Sequence, residues 1–341
     1  MSRKKVTMED IASRLDISKY AVSLALSGKK GVSEITREKV VQTAQEMGYR
    51  PRPNHEALHK AMEKRGTIGV ITSEEVLKNP YFFSTVLNEI EKEVRRRDYG
   101  LSIANVDIDG NLPDFARQKI VDGIIVISDI GTSLVNKLKQ MNIPCVIVEH
   151  YEKRVNMDSI MTNNRQGVYL AIEYLNRQLK TPIIGFLGDI HESINYYERW
   201  KSFSEVLTDL GLKLDLDYCK IDKFNRYPQD PVKDIRDFIQ GLESLPDAFF
   251  CVNDILAVIL SSMLIKSGVK IPEDVSIIGF DDTKLTEYNI PPLTMIYLYR
   301  EHYGRRAVEQ LFSKFVNREK PAEVIRINTK LVIRNSVRDT R

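Results

Sequence analysis

The sequence predicts an α/β protein: an N-terminal helix-turn-helix head-piece followed by a two-lobed, doubly wound parallel-sheet domain. Three observations carry this. The first 65 residues hold 14 Lys/Arg and 8 Asp/Glu, a charge of +6, whereas the rest holds 36 basic and 39 acidic residues, a charge of −3. The basic end contains three short segments with apolar residues at helical spacing. From Thr67 onward, short apolar runs alternate with amphipathic helical stretches, and the second half repeats the plan. A chain of 341 residues exceeds one ordinary core. A basic unit on a slightly acidic body implies a polyanion held at one end.

In the head, Thr7 is a good N-cap, with Glu9 and Asp10 where the helix dipole favours acids. Met8, Ile11, Ala12 and Leu15 then recur at helical spacing. Asp16-Ile17 makes a short break. Ser18 caps a second helix from Lys19 to about Ser27, with Ala21, Val22 and Ala25 or Leu26 inward, and Gly28 ends it. A third helix follows Ser33, with Val40, Val41, Ala44 and Met47 buried; Gly48 stops it. A tight turn between the first two helices is the helix-turn-helix plan, with the second helix reading DNA. Lys19 and Tyr20 then reach base edges, while Ser18, Ser23, Ser33 and Thr36 offer hydroxyls to phosphates.

In the body, Ile68–Ile71, Leu101–Ala104, Gly123–Ile127 and Cys145–Val148 read as strands, with helices over Phe82–Arg97 and Gly131–Met141. In the second half Ile183–Leu187, Phe249–Val252 and Val275–Phe280 read as strands, and Arg165–Gln178, Tyr196–Leu210, Pro231–Ile239 and Asp254–Ser267 as helices. Continuous apolar strands between helices mean parallel sheets covered on both faces. Between Val106 and Val121, DIDGNLPDFARQK carries Gly110 and Pro113, which leaves room for a turn or two of helix.

The stretch VTMEDIASRLDISKYAVSLALSGKKGVSEITREKVVQTAQEMGYRP resembles the head-piece of the lactose-repressor (LacI/GalR) family of bacterial transcription regulators, and the likeness runs through the whole chain. The resemblance implies base reading by Lys19, Tyr20 and Leu24, with Thr7 among the DNA-binding residues. An Arg is usual at the Leu24 position; a Leu can touch only a thymine methyl. It implies a hinge helix in 51–66, with Leu58 as the minor-groove wedge; Arg52 and His55 depart from the family pattern. The two lobes resemble the periplasmic sugar-binding-protein fold. Lobe 1 is expected over about 67–162 and 296–322, and lobe 2 over about 163–292 and 323–341. The first 50 residues are expected to form the DNA-binding domain.

Several motifs fall at strand ends, where open α/β sheets bind ligands. PCVIVEH ends on Glu149, FFCVND on Asn253-Asp254 and VSIIGFDD on Asp281-Asp282, while NYYERWKSF places Arg199 in a helix. The resemblance assigns Arg199, Asn253 and Asp281 to a small-molecule effector, with Glu149 and Ser73 as first-lobe contacts. An aromatic between Phe224 and Tyr227 is expected to stack on it. Arg forks and carboxylates suit the neighbouring hydroxyls of a sugar. The expected unit is a cytoplasmic homodimer on a palindromic DNA operator.

Other classes are disfavoured. The longest apolar stretch, Ile255–Ile265, is too short to span a bilayer. MSRKKVTMED has no apolar core after its basic residues, so no signal peptide is expected. Cys145, Cys219 and Cys251 form no CxxC pair and read as reduced thiols. The five His are scattered, so neither a metal site nor a cofactor is expected. No phosphate-binding or nucleophile-elbow motif appears, which disfavours an enzyme. The alternative is a cytosolic sugar-binding protein without a DNA target.

Overall fold

The computed structural model describes residues 6–26, 31–47, 49, 66–73, 76, 80–222 and 231–339. The chain divides into two units, Met1–Lys64 and Arg65–Arg341.

The first unit holds α1 (Met8–Leu15), α2 (Lys19–Leu26) and α3 (Glu34–Glu46). Each begins on a hydroxyl that caps it. Thr7 Oγ1 accepts from Asp10 N while Asp10 Oδ2 accepts from Thr7 N (2.7 Å), a closed capping box. Ser18 Oγ accepts from Ala21 N, and Ser33 Oγ from Thr36 N, both at 3.1 Å. Asp16, at φ 53°, breaks the chain between α1 and α2. Ile11, Ala12, Val22, Ala25, Val40 and Ala44 form the core. Val41, expected inside, is exposed, and Thr43 is buried instead. The inward face of α3 runs 40, 43, 44, 47, the spacing of one helical stripe, and 41 falls off it. Arg37 Nη1 donates to the carbonyls of Leu24 (3.3 Å) and Ala25 (3.0 Å), satisfying the end of α2 from α3. The hinge expected over 51–66, with Leu58, lies outside the described residues except for Gly66.

The second unit contains two six-stranded sheets. The first is built from β1 (Thr67–Ser73), β2 (Gly100–Val106), β3 (Gly123–Ile127), β4 (Cys145–Val148), β5 (Asp158–Thr162) and β11 (Val324–Ile327), in the order β11-β5-β4-β3-β1-β2. The second is built from β6 (Ile184–Leu187), β7 (Cys219–Lys220), β8 (Ala248–Cys251), β9 (Ser276–Asp281), β10 (Thr294–Tyr297) and β12 (Lys330–Val332), in the order β12-β10-β9-β8-β6-β7. All pairings are parallel except β10 with β12. Helices α4 (Pro80–Arg96), α5 (Asp114–Arg117) and α6 (Thr132–Gln140) follow first-lobe strands. Helices α7 (Asn164–Leu179), α8 (Ile194–Asp209), α9 (Pro231–Gln240), α10 (Asp254–Lys266) and α11 (Lys284–Glu287) belong to the second-lobe succession, and α12 (Arg300–Val316) returns to the first lobe. The segment around Gly110 and Pro113 yields only the four residues of α5, the shortening that the sequence predicts.

The chain crosses between lobes after β5, after β10 and after β11. Two crossings differ from the expected boundaries. Met295 and Ile296 sit in the second sheet, so lobe 1 resumes after Tyr297. Val324–Ile327 pairs with β5 in the first sheet, so lobe 2 resumes after Ile327, not at 323. β5 escapes sequence reading because Asp158, Ser159 and Thr162 are polar yet buried. Their burial is compensated: Asp158 Oδ1 accepts from Gln310 Nε2 (2.7 Å) and Glu323 N (2.9 Å), and Oδ2 pairs with Lys314 Nζ (3.0 Å).

α12 packs against α4 at a glycine. A Cβ on Gly304 would stand 2.6 Å from Val86 O and 3.0 Å from Ile90 N, both backbone atoms that cannot swing aside. Gly304→Ala is therefore expected to destabilise the second unit by about 1–3 kcal/mol, the cost of overpacking. Urea unfolding followed by far-UV circular dichroism checks this; unchanged stability would mean that the helices part without cost.

Candidate DNA-reading helix and effector cleft

In the first unit Lys19 and Tyr20 open α2 and face solvent; Tyr20 is 72% exposed. Lys19 Nζ ion-pairs with Glu9 Oε1 at 2.8 Å, both side chains being exposed. Such a pair is weak in water and easily exchanged for a phosphate or a base. Ser18 and Ser33 accept N–H groups as caps, and Ser33 Oγ also meets Thr36 Oγ1 at 2.7 Å. Thr7 Oγ1 donates to Asp10 Oδ2, so its one O–H donor is used within the capping box. Ser23 and Leu24 are half-buried. The Leu24 methyl lies against Gly31, where a Cβ would come within 2.9 Å of it.

In the second unit Ser73, Glu149, Asn253 and Asp281 stand at or just beyond the carboxyl ends of β1, β4, β8 and β9, and Arg199 reaches Asp281 from α8. The turns that bring them there are bent: Glu149 has φ 60°, Asp281 φ 83° and Asp282 φ 58°. Left-handed backbone at three non-glycine residues is costly and typical of functional strand ends. Arg199, on α8, is 2% exposed. Its Nη2 lies 3.1 Å from Asp281 Oδ1, its Nη1 donates to Val252 O at 2.6 Å and its Nε donates to Asn164 Oδ1 at 2.9 Å. The guanidinium also stacks on Phe280, 3.8 Å from the ring centre. Arg199 and Asp281 thus pair within the second lobe. Asn253 caps α10 by accepting from Leu256 N, and its Nδ2 donates to Tyr196 Oη at 2.6 Å.

Glu149 is the first-lobe partner. It accepts from Thr162 Oγ1 at 3.0 and 2.9 Å, and its Oε2 and carbonyl accept from Asn195 Nδ2 of the second lobe at 3.2 and 3.0 Å. Thr162 Oγ1 also meets Tyr303 Oη of α12 at 2.9 Å. Burial raises the Glu149 carboxyl to about 7, against the opposing pull of Arg199 and Thr162. Ser73 ends β1 fully buried, with no hydrogen-bond partner for its Oγ among the described residues. Phe224 and Tyr227 lie outside the described residues.

The structure adds residues that sequence reading missed. Asn164, Asn195, Thr162, Tyr196 and Tyr303 complete the network, and one signal was available: Asn195 precedes Arg199 by four positions, on the same helical face. A second link joins the lobes: Arg326 on β11 forks onto Glu198 of α8, at 2.8 and 2.9 Å. Burial would raise the Glu198 carboxyl, but bonds from Arg326 and Asn164 outweigh it and hold it low. Asp254 is fully buried; one oxygen accepts from Thr283 N at 3.0 Å, and the other has no hydrogen-bond partner among the described residues. Burial, then the charge of Asp281, raises its carboxyl to about 6. The cysteines are free thiols. Burial lifts Cys145 to about 12 and Cys219 to about 11.

A three-helix head of helix-turn-helix plan, followed by two parallel-dominated sheets, defines the class of two-lobed DNA-binding regulators. Residues 7–52 match the bacterial regulatory proteins of the lacI family, and residues 177–337 match the periplasmic binding protein-like domain. The HTH-type transcriptional repressor PurR of Vibrio parahaemolyticus is 32% identical, over 97% of this chain and 98% of its own length. The corresponding repressor of Vibrio vulnificus is 31% identical, over the same shares of both chains. Among solved structures, the Lac repressor dimer bound to operator superposes with TM-score 0.68 at 22% identity, covering 98% of this chain and 99% of its own. A LacI family regulator from Enterococcus faecium with bound ribose superposes with TM-score 0.68 at 27% identity, covering 81% of this chain and all of its own. The chain belongs to the lacI family of bacterial transcription regulators, and these two Vibrio relatives are transcriptional repressors. No helix among the described residues is long and apolar enough to cross a membrane.

The Asp254 shift has a signed consequence. Its folded value, about 6, lies above the usual 3.8, so the folded state holds the proton more tightly. The associated stability is present below about pH 4 and lost as pH rises through 6, by roughly 3 kcal/mol at most. Asp254→Asn, which cannot ionise, is expected to gain on wild type by that order between pH 4 and pH 7.5. Urea unfolding at the two pH values measures the gain; a variant penalty that is constant with pH would refute it.

Proposed function

We propose that this regulator is a dimeric repressor whose affinity for a palindromic operator is set by a small sugar or polyol held between the lobes. Carrying the reading is the contact of Asn195 from one lobe with Glu149 of the other, in the polar cleft where strand ends meet. A ligand that takes up those groups favours one lobe arrangement over another, and differential affinity for two arrangements is what couples effector to DNA. Bound ribose in the Enterococcus faecium relative supports a sugar. A dimer supplies two reading helices for the two half-sites. Lys19 and Tyr20 read bases, Leu24 touches a thymine methyl, and Ser18, Ser23, Ser33 and Thr36 hold phosphates. Leu58 is the wedge between base steps. Ser73, Glu149, Arg199, Asn253 and Asp281 hold the effector, with Phe224 or Tyr227 stacking on it. The protein works in the cytoplasm, where its DNA is.

Two experiments test the reading. Selection of operators from random DNA is expected to return a palindrome, and Lys19→Ala and Tyr20→Ala to relax preference at defined half-site positions. Identical selected sites for wild type and both variants would remove those residues from the reading role. A thermal-shift screen over sugars and polyols is expected to find a stabilising ligand. Arg199→Ala is a poor probe, because it strands the buried Asp281 and unfolding confounds binding. Ser73→Ala is cleaner: it deletes a buried hydroxyl without a hydrogen-bond partner, so the unliganded protein should be as stable as wild type or more so. Effector affinity should fall by about fivefold to tenfold, the worth of one hydrogen bond. Unchanged affinity by calorimetry would place the ligand away from Ser73.

A further inference from the structure

The first lobe gathers another group of ligating side chains beside the cleft. After β3 the chain turns through Ser128, at φ 69°, to Asp129; after β4 it turns through Glu149 to His150 and Glu152. His150 Nε2 lies 3.2 Å from Glu152 Oε1 and 3.7 Å from Asp129 Oδ1, and one ligand atom from each residue falls within 4.8 Å of the others. Among the described residues no other three His, Cys, Asp or Glu side chains meet in this way. Both oxygens are aimed by neighbours: Thr132 Oγ1 donates to Glu152 Oε1 at 2.9 Å, and Gly131 N donates to Asp129 Oδ1 at 2.7 Å. The His150 and Glu152 side chains are only 12% and 16% exposed, whereas Asp129 is 46% exposed and opens one side to solvent.

One ring nitrogen carries at most one hydrogen, so it serves one carboxylate well and leaves two anions converging on it. A dication relieves both. Donor atoms around a four-coordinate ion at 2.0–2.1 Å stand about 3.3 Å apart, and the spacings of 3.2 and 3.7 Å bracket that value. We propose that Asp129, His150 and Glu152 bind a divalent transition-metal ion, with Zn2+ as the preferred class, leaving one position open to solvent. An imidazole with two carboxylates suits Zn2+ and, more weakly, Mn2+; Mg2+ and Ca2+ favour all-oxygen shells. Sequence spacing conceals the site because the ligands come from two loops that only the sheet brings together. The ion would tie both loops one residue from Glu149, beside the effector cleft.

Tag-free full-length protein, stripped with EDTA and dialysed, is titrated with Zn2+, Mn2+ and Mg2+ while bound metal and melting temperature are measured. Wild type is expected to take up one Zn2+ per chain with a raised melting temperature, to respond less to Mn2+ and not to Mg2+. Co2+ should give the intense visible bands of a four-coordinate ion. His150→Ala and the double variant Asp129→Asn/Glu152→Gln should melt near metal-free wild type and bind Zn2+ at least about tenfold more weakly. Absence of stoichiometric Zn2+, or equal uptake by wild type and both variants, would overturn the site.

Discussion

The second lobe is organised around the burial of one guanidinium. A cation removed from water is tolerable only where its donors and its charge are answered from several directions. Arg199 is answered by Asp281 at the end of β9, by the Val252 carbonyl after β8, by Asn164 at the start of α7 and by the face of Phe280. These groups come from separate parts of the chain. Their convergence fixes where β8 and β9 end, how α7 leaves the first crossing and which face α8 turns inward.

From that point the network passes to the first lobe through polar atoms alone. Asn164 also donates to Asn195 (2.8 Å) and to Glu198 (2.8 Å); Asn195 meets Glu149, and Glu149 meets Thr162 and, beyond it, Tyr303. One cluster of buried apolar side chains includes residues of both lobes, and hydrogen bonds and the Arg326–Glu198 pair link the lobes as well. Hydrogen bonds can be exchanged for those of a ligand at little net cost, but buried apolar area cannot. The polar links between the lobes are therefore the ones that a small molecule can take over.

The head follows different rules. Its core is small, and Lys19 and Tyr20, expected to reach DNA, lie outside it. Tyr20 stands in solvent because the inward stripe of α2 is used by Val22 and Ala25. The capping hydroxyls and Arg37 close the helix ends locally.

The sequence alone determined the class of most segments, because hydrophobic period and capping residues are local properties. It located the three head helices, the strands from Thr67 to Val148, the shortened helix near Pro113, and the strand ends bearing Glu149, Asn253 and Asp281. It could not place β5, whose polar residues are answered by Gln310 and Lys314 from far along the chain, nor assign β11 and β10 to their sheets. Short apolar segments look alike until a partner strand is present. The tertiary structure likewise decided that Arg199 pairs within its own lobe, that Asn164, Asn195 and Tyr303 belong to the network, and that His150 faces two carboxylates. Those facts depend on distances between residues remote in sequence, set only when both sheets have formed and their strand ends are brought together.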